Sequence, residues 1–310
     1  MLLRQFEYLE ALARERHFAR AAEACHVSQP ALSSGIRRLE ADLGVQIVQR
    51  GRRFSGFTPE GERVVRWARR MLADQEELRH DLSTLRQGLS GVLRIGAIPT
   101  ALPASPLLTE PFCVRHPLVR VSLRSLSSRE IVHRLAEFQL DIGMTYLDGD
   151  PLGAVRTVPL YEERYLLLTS EGGRFAGRES VGWAELADEP LCLLTDEMQN
   201  RRIIDGHFAE AGVDVTPTVE ADTVSVLYGH VQTRRWSSVI AHAWLMVFGV
   251  PRGLQVVPME PPGRTHHVGL VLADRDPEPM LAQALLKVAA ELDLAAALDD
   301  LLRATTAAGG

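Results

Sequence analysis

Apolar spacing predicts that the chain opens on helices. Phe6, Leu9 and Leu12 fall on one stripe of residues 3–14. Residues 18–25 make a second, small-residue helix, where Ala21 and Ala22 let another helix approach closely. His26 and Val27 form a joint. Ser28 then stands where an N-cap belongs, with Pro30 in the first turn, where a missing N–H is no loss. The next helix carries Leu32, Ile36, Leu39 and Leu43 on one stripe and Gln29, Ser33, Ser34, Arg37 and Arg38 on the other face. Two short helices with a tight joint, the second displaying hydrogen-bonding and cationic groups, predict a helix-turn-helix. Its second helix would enter a major groove, with Ser28, Gln29, Pro30, Ser33, Ser34, Arg37 and Arg38 as the contact set. A helical hairpin with a solvated polar face would give the same pattern.

Residues 45–50 read as a short strand and residues 51–56 as a basic, glycine-bounded turn. Together with Phe57 they predict a hairpin wing that brings Arg50, Arg52 and Arg53 to phosphates or a minor groove; a solvated arginine loop is the alternative. Thr58-Pro59-Glu60 combines an N-cap, a first-turn proline and an early acid, a strong helix start. The helical pattern then holds to about Gly88. Within it Val64, Ala68, Met71, Gln75, Leu78, Leu82 and Leu85 alternate spacings of four and three, a coiled-coil seam with one polar layer. At 1.5 Å per residue such a helix is about 45 Å long. It is too one-sided to stand alone and calls for a partner, with Val64, Met71, Leu78, Leu82 and Leu85 as the dimerisation positions.

Residues 88–91 break the helix, and beyond them strands alternate with helices. Strands are expected at 92–98, 119–123 and 141–146, with helices at 107–115 and 129–138 between them. That βαβαβ run predicts a parallel sheet covered by helices. Residues 155–169 supply two more strands, followed by strands at 191–195, around Val219, and at 238–242, 254–259 and 267–272. Helices are expected near 200–211 and 223–233, with a closing helix at 279–294 and a frayed alanine-rich tail behind it.

The N-terminal residues carry a resemblance. The run AA-x-x-C-H-V-S-Q-P-A-L-S-x-x-I-x-x-L-E-x-x-L-G from Ala21 to Gly44, then Arg50, then Thr58-Pro59-Glu60-Gly61, closely resembles the LysR-type transcriptional regulators. The match is dense over the first sixty or so residues and looser to about Ala290. It implies a winged helix-turn-helix at 1–58, a linker helix at 59–88 that pairs with its mate in a dimer, and an effector-binding domain at 89–310. That domain would comprise two doubly wound α/β subdomains resembling periplasmic binding proteins, the first at about 92–161 and 268–303, the second at about 162–267. The strands crossing between them would lie near residues 161–168 and 257–268. In one place the chain departs from the family: a Gly-rich turn is replaced by Gln232-Thr233-Arg234-Arg235-Trp236-Ser237-Ser238, which could bring Arg234 or Arg235 toward an acidic effector.

Composition changes this picture little. A chain of 310 residues, 46% hydrophobic and 24% charged, suits two or three globular domains. No apolar run approaches a bilayer span, so a cytoplasmic protein without membrane contact is expected. The net charge of −6 is uneven: 15 arginines against 12 carboxylates leave residues 1–88 at +3, and the remainder at −9. The cationic end is the one expected to meet double-stranded DNA. No Gly-x-Ser-x-Gly, P-loop or metal-spaced His/Cys set occurs, which argues against an enzyme, a metal site or a cofactor.

Ligands of open parallel sheets bind beyond the carboxyl ends of strands. There the sequence places Thr100, Ser127, Ser128, Thr195 and Thr223, hydroxyls at or near helix starts that favour a small carboxylate or other anion. Each could equally be a simple helix cap. Cys25, Cys113 and Cys192 are too scattered for a disulfide framework. Cys25, beside His26 in the helix-turn-helix, leaves a redox-responsive regulator of the same family as an alternative. The whole predicts an effector-modulated homodimer or homotetramer on DNA.

Overall fold

The computed structural model describes residues 2–49, 54–261, 263–275 and 277–308. The chain divides into two compact units, residues 1–88 and 89–310.

In the first unit α1 (Leu3–Glu15), α2 (Phe18–Ala24) and α3 (Gln29–Leu43) pack on the start of a 29-residue helix, α4 (Pro59–Gln87). Leu12, Ala21, Ala22, Leu32 and Ile36 fill one half of its core; Phe6, Leu9, Leu39, Ile47, Val65 and Ala68 fill the other. The joint works because His26 accepts a left-handed backbone (φ 54°) while the Val27 N–H reaches back to the Ala22 carbonyl at 3.0 Å. Leu43, expected on the buried stripe, is 37% exposed. It is the last helical residue before Gly44 turns the chain left-handed, so the stripe runs off the core there.

Among the described residues of the strand expected at 45–50, only Val48 makes a strand pairing. A single antiparallel bridge, Val48 to Phe57, closes the wing, and its tip with Arg50, Arg52 and Arg53 lies outside the described residues. Its base is fixed by the residues that carry the family pattern. Glu40 accepts from the backbone N–H groups of Ile47 (2.8 Å) and Val48 (3.0 Å), tying α3 to the wing. The Thr58 hydroxyl caps α4 by accepting from Gly61 N–H at 2.9 Å. A Cβ on Gly61 would stand 2.1 Å from the Ile47 carbonyl oxygen, so only glycine fits. Phe54 stacks edge-on against both Phe18 and Phe57.

The seam expected along α4 divides in two. Ala68 is fully buried in the unit's own core, with Val65 beside it and Val64 packed against its edge. Trp67, Met71, Leu78 and Leu82 are exposed, the last two by more than half. The side chain of Leu85 lies outside the described residues.

In the second unit β1 (Gly91–Ala97), α5 (Pro106–Arg115), β2 (Val119–Ser125), α6 (Ser128–Ala136) and β3 (Ile142–Tyr146) form the predicted parallel start. The chain continues through β4 (Val155–Glu162), β5 (Tyr165–Ser170), β6 (Cys192–Leu194), α7 (Gln199–Glu210), β7 (Val219–Ala221) and α8 (Val224–Gln232). It then runs through β8 (Ser238–Ala241), a short α9 (Leu245–Phe248), β9 (Leu254–Pro258) and β10 (His267–Ala273) to α10 (Met280–Glu291) and α11 (Leu294–Ala308). The first subdomain's sheet runs β2-β1-β3-β10-β4; the second holds β8-β5-β9 and a parallel pair, β6-β7. The five-stranded sheet is mixed, and the β8-β5-β9 sheet is antiparallel throughout. β10 returns directly from the other subdomain, without a crossover helix, and so lies antiparallel to β3 and β4. The passage from β4 to β5 and that from β9 to β10 are the two crossings between subdomains.

Residues 294–308, expected to belong to a frayed tail, form a helix. Asp293 caps α11, its carboxylate accepting from Ala296 N–H at 2.9 Å, and Leu294 and Leu298 are buried in the first subdomain's core. Alanines at helical spacing between those leucines make a helix whose good propensity the tail-like composition masked.

Leu78 and Leu82 on α4 are more than half exposed, so an aspartate at Leu78 disturbs no core of its own chain. Leu78→Asp is expected to convert a sedimenting dimer to a folded monomer with a lower thermal midpoint, because the stabilisation that assembly adds is lost while the chain's own core is untouched. A wild-type chain that sediments as monomer at micromolar concentration would contradict the seam.

Candidate functional site

Two places gather exposed or unpaired chemistry. The first is α3. The Ser28 hydroxyl caps it, accepting from Ala31 N–H at 3.3 Å, with Pro30 in the first turn. Gln29, Pro30, Ser34, Arg37 and Arg38 are exposed and Ser33 half-buried, while Leu32, Ile36 and Leu39 face the core. Among the described residues Arg37 and Arg38 take no carboxylate partner, so their charges remain available to phosphate.

The second is a cleft between the subdomains of residues 89–310, beyond the ends of β1 and β3. Its polar lining is Thr100, Ser127, Ser128, Tyr146, Gln199 and Asn200. Ile98, Pro99, Leu194 and Met198 supply apolar walls. The space enclosed suits little more than one water-sized molecule. Two helices begin at it, α6 from the first subdomain and α7 from the second, so first-turn N–H groups and both positive helix ends converge. No lining residue is charged.

The five hydroxyls expected here separate. Ser127 spends its side chain in a capping box with Glu130, accepting from Glu130 N–H at 3.3 Å. Ser128 is 2% exposed and its hydroxyl has no partner among the described residues. Thr100 is wholly buried, its hydroxyl 3.3 Å from that of Tyr146. Thr195 follows β6 with an unpartnered, buried hydroxyl, yet it is not in the lining; Thr223 is exposed at the start of α8 and is not in it either. Arg234 and Arg235 also stay away from the lining. Arg234 takes the left-handed turn (φ 62°) that a glycine would take more easily, and Arg235 lies over the Trp236 ring at 5.5 Å.

Beneath the cleft lies a network that hydroxyl-spotting missed. The Tyr146 hydroxyl donates to Glu163 at 2.5 Å and accepts from the Asn200 amide at 3.0 Å; the same amide donates to Glu163 at 3.3 Å. Tyr146 comes from β3, Glu163 from the crossing between β4 and β5, and Asn200 from the first turn of α7, so three hydrogen bonds join both subdomains at the hinge. Glu163 is 4% exposed, and burial pushes its carboxyl up to about 7, against the pull of the hydrogen bonds from Tyr146 and Asn200. At the cleft mouth Arg202 of α7 and Arg129 of α6 share Asp150, at 2.6 and 3.6 Å. Gln199 donates to the Asp148 carbonyl at 2.6 Å. Strand ends carry ligands, and Tyr146 ends one, so that signal was present; nothing in Tyr161-Glu162-Glu163-Arg164-Tyr165 distinguishes the buried glutamate from the exposed one.

Two family models match the chain: a bacterial regulatory helix-turn-helix protein of the lysR family over residues 3–62, and a LysR substrate binding domain over residues 86–293. The chain belongs to the LysR family. It is a LysR-type DNA-binding transcriptional regulator and not an enzyme. The DNA-binding transcriptional dual regulator OxyR of Escherichia coli K12 is 36% identical over 232 residues, covering 73% of this chain and 74% of that one. A hydrogen peroxide-inducible genes activator of Haemophilus influenzae is 27% identical over 278 residues, covering 89% and 92%. Among solved structures, full-length OxyR of Pseudomonas aeruginosa with a cysteine-to-aspartate substitution superposes with a TM-score of 0.75 at 26% identity, covering 96% of this chain and 97% of that one. No helix of the described residues is long and apolar enough to cross a membrane.

The cysteines of this LysR-family chain keep away from the cleft. Cys25 is half-buried at the end of α2, its thiol pushed up by burial, with its sulfur 3.9 Å from the Glu7 carbonyl. Cys192 is buried in β6 and pushed up to about 11; Cys113 lies half-buried in α5. All three are free thiols.

The raised carboxyl of Glu163 makes a stability claim. Between the unfolded value near 4.5 and the folded value near 7, the folded chain holds a proton that the unfolded chain has lost. Stability therefore falls as pH rises through that window, by up to about 3 kcal/mol, and levels off above it. Glu163→Gln, which cannot ionise, is expected to flatten the urea-unfolding profile between pH 5 and 7. An unchanged slope in that variant would assign the dependence to another group.

Proposed function

We propose that this regulator's operator binding is modulated by a small carboxylate or other small oxyanion held in the cleft between the two subdomains. The observation that carries the reading is the convergence of two helix starts and the unpartnered Ser128 hydroxyl on one cleft, with Thr100, hydrogen-bonded to Tyr146, across from them. The small enclosed space favours a ligand of few atoms, or one that parts the subdomains as it enters. For a regulator such a ligand acts only by binding one arrangement of the subdomains better than another.

On DNA, Gln29 and Ser33 read base edges and Arg37 contacts phosphate, with Arg53 as a further phosphate contact from the wing. Gln29→Ala is expected to cost about 1–3 kcal/mol of operator affinity and relax specificity at one position of each half-site. Arg37→Ala should weaken all sequences alike and flatten the salt dependence. Unchanged sequence preference in both Gln29→Ala and Ser33→Ala would remove α3 from the groove.

Thr100→Val keeps shape and deletes the hydroxyl. A ligand oxygen deprived of that partner loses about 1–3 kcal/mol, roughly ten- to hundredfold in effector midpoint, while effector-free operator binding stays near wild type. Titration of the protein–operator complex, read by DNA bending, measures both. An unmoved midpoint would leave Thr100 as a structural group only.

A second reading is a response to peroxide, favoured by relatives that are hydrogen peroxide-inducible genes activators. In this chain no thiol lines the cleft, so thiol chemistry would fall to Cys25 in the DNA-binding unit. Operator binding that is lost on peroxide treatment, restored by dithiothreitol and insensitive in Cys25→Ser would establish it; an equal response in that variant would exclude Cys25.

A further inference from the structure

The donor direction of the hydrogen-bond chain beneath the cleft depends on one proton. With Glu163 ionised, its oxygen can only accept, so the Tyr146 hydroxyl points its proton at Glu163. The Tyr146 oxygen then accepts from the Asn200 amide at 3.0 Å and from the Thr100 hydroxyl at 3.3 Å. The Thr100 proton is thereby drawn away from the cleft, which receives a lone pair. With Glu163 protonated the chain reverses. The acid donates to the Tyr146 oxygen, Tyr146 donates to Thr100, and the Thr100 proton is free to point at a ligand.

Among the described residues no cation faces the carboxyl, and the hydrogen bonds to it only partly offset its burial. Tyr146 faces it from β3, Tyr161 from β4, Tyr165 from β5, Thr100 from the end of β1, and Asn200 from α7. His266, 6.3 Å from the Tyr146 ring, and His207, 5.6 Å from the Tyr165 ring, close the surround, and burial lowers both imidazoles toward the neutral form. Glu162 and Arg164, its chain neighbours, are exposed. An ionised Glu163 would thus stand three hydrogen bonds along the chain from an anion at Thr100, with no cation facing it among the described residues and with the intervening hydroxyls turned the wrong way.

We propose that Glu163 is the specificity-determining residue of the cleft: an oxyanion enters with one proton from solvent, which binds the Glu163 carboxylate and turns the Tyr146 and Thr100 hydroxyls toward the ligand. The step balances as one carboxylate and one solvent proton giving one carboxylic acid, with no bond of the ligand made or broken. It rests on the anion reading of the cleft and adds that affinity falls as pH rises through neutrality, tenfold per unit once Glu163 is ionised.

The test uses the full-length protein and calorimetric titration with formate, acetate and inorganic phosphate from pH 5.5 to 8.5. At pH 8, repetition in buffers of different ionisation enthalpy is expected to show about one proton taken up per anion bound. Glu163→Gln, a neutral isostere whose amide can still donate to Tyr146, is expected to take up no proton and to bind the same anion at least tenfold more tightly than wild type at pH 8. Zero uptake by the wild type with normal binding would overturn the proton linkage while leaving the anion reading in place. Uptake that persists in Glu163→Gln would assign the proton elsewhere and overturn the role of Glu163. Binding unaffected by Thr100→Val would place the anion outside the cleft and overturn both readings, as would the absence of binding by all three anions at every pH.

Discussion

A carboxyl withdrawn from water at the crossing between two subdomains must be satisfied by whatever the neighbouring elements bring to it. Here β3 brings the Tyr146 hydroxyl and α7 brings the Asn200 amide to one carboxyl oxygen of Glu163, so pairing that oxygen requires both subdomains to be present and correctly placed; its other oxygen has no partner among the described residues. Hydrogen bonds to a charged, buried partner are stronger than neutral ones, and leaving such a group unpaired is costlier than the bond itself is worth. The hinge and the floor of the cleft are therefore one structure. Movement that parts the subdomains pulls Asn200 from Glu163, and a ligand that reorders Thr100 acts on the same chain of hydroxyls. This places the cleft's chemistry where a change in protonation or occupancy can alter the angle between subdomains. A regulator needs such a two-state element.

The DNA-binding unit rests on a different constraint. Its recognition helix, wing and long helix are held in register by backbone bonds to single side chains: Glu40 to the wing, Thr58 to the start of α4, and glycine at position 61 because a side chain has no room beside Ile47. Glu40, Thr58 and Gly61 all belong to the family pattern. Of the outward-facing groups, Gln29 is in the pattern too, while Ser34, Arg37 and Arg38 fall at its open positions. Resemblance thus identifies the scaffold more firmly than it identifies what the scaffold reads.

Most elements were legible because their signals are local. Ser28 before Pro30, Thr58 before Pro59 and the stripe from Leu32 to Leu39 each specify a helix without reference to distant residues. The seam of α4 was only half legible, since Ala68 and Leu78 share one heptad pattern while one is covered by the chain's own core and the other is left exposed. The C-terminal helix was missed because alanine-rich composition suggested a tail where buried Leu294 and Leu298 make a docked helix. In the cleft, Thr100, Ser127 and Ser128 were found by the strand-end rule, and Thr195 and Thr223, equally good by that rule, lie elsewhere. Which strand ends converge is set by the mixed sheet order, a long-range property. Glu163 was out of reach for the same reason: adjacent glutamates in a crossing segment differ only in which way the strand pleat turns them.

Amide hydrogen exchange of the full-length protein reports whether an anion binds on the two helix starts that meet in the cleft. On addition of formate at pH 6, the account expects slowed exchange in the first turns of α6 and α7, around residues 128–130 and 199–202, and in the turn after β1 that carries Thr100. Slowed exchange confined to other segments, with these three unchanged while formate is bound, would contradict it.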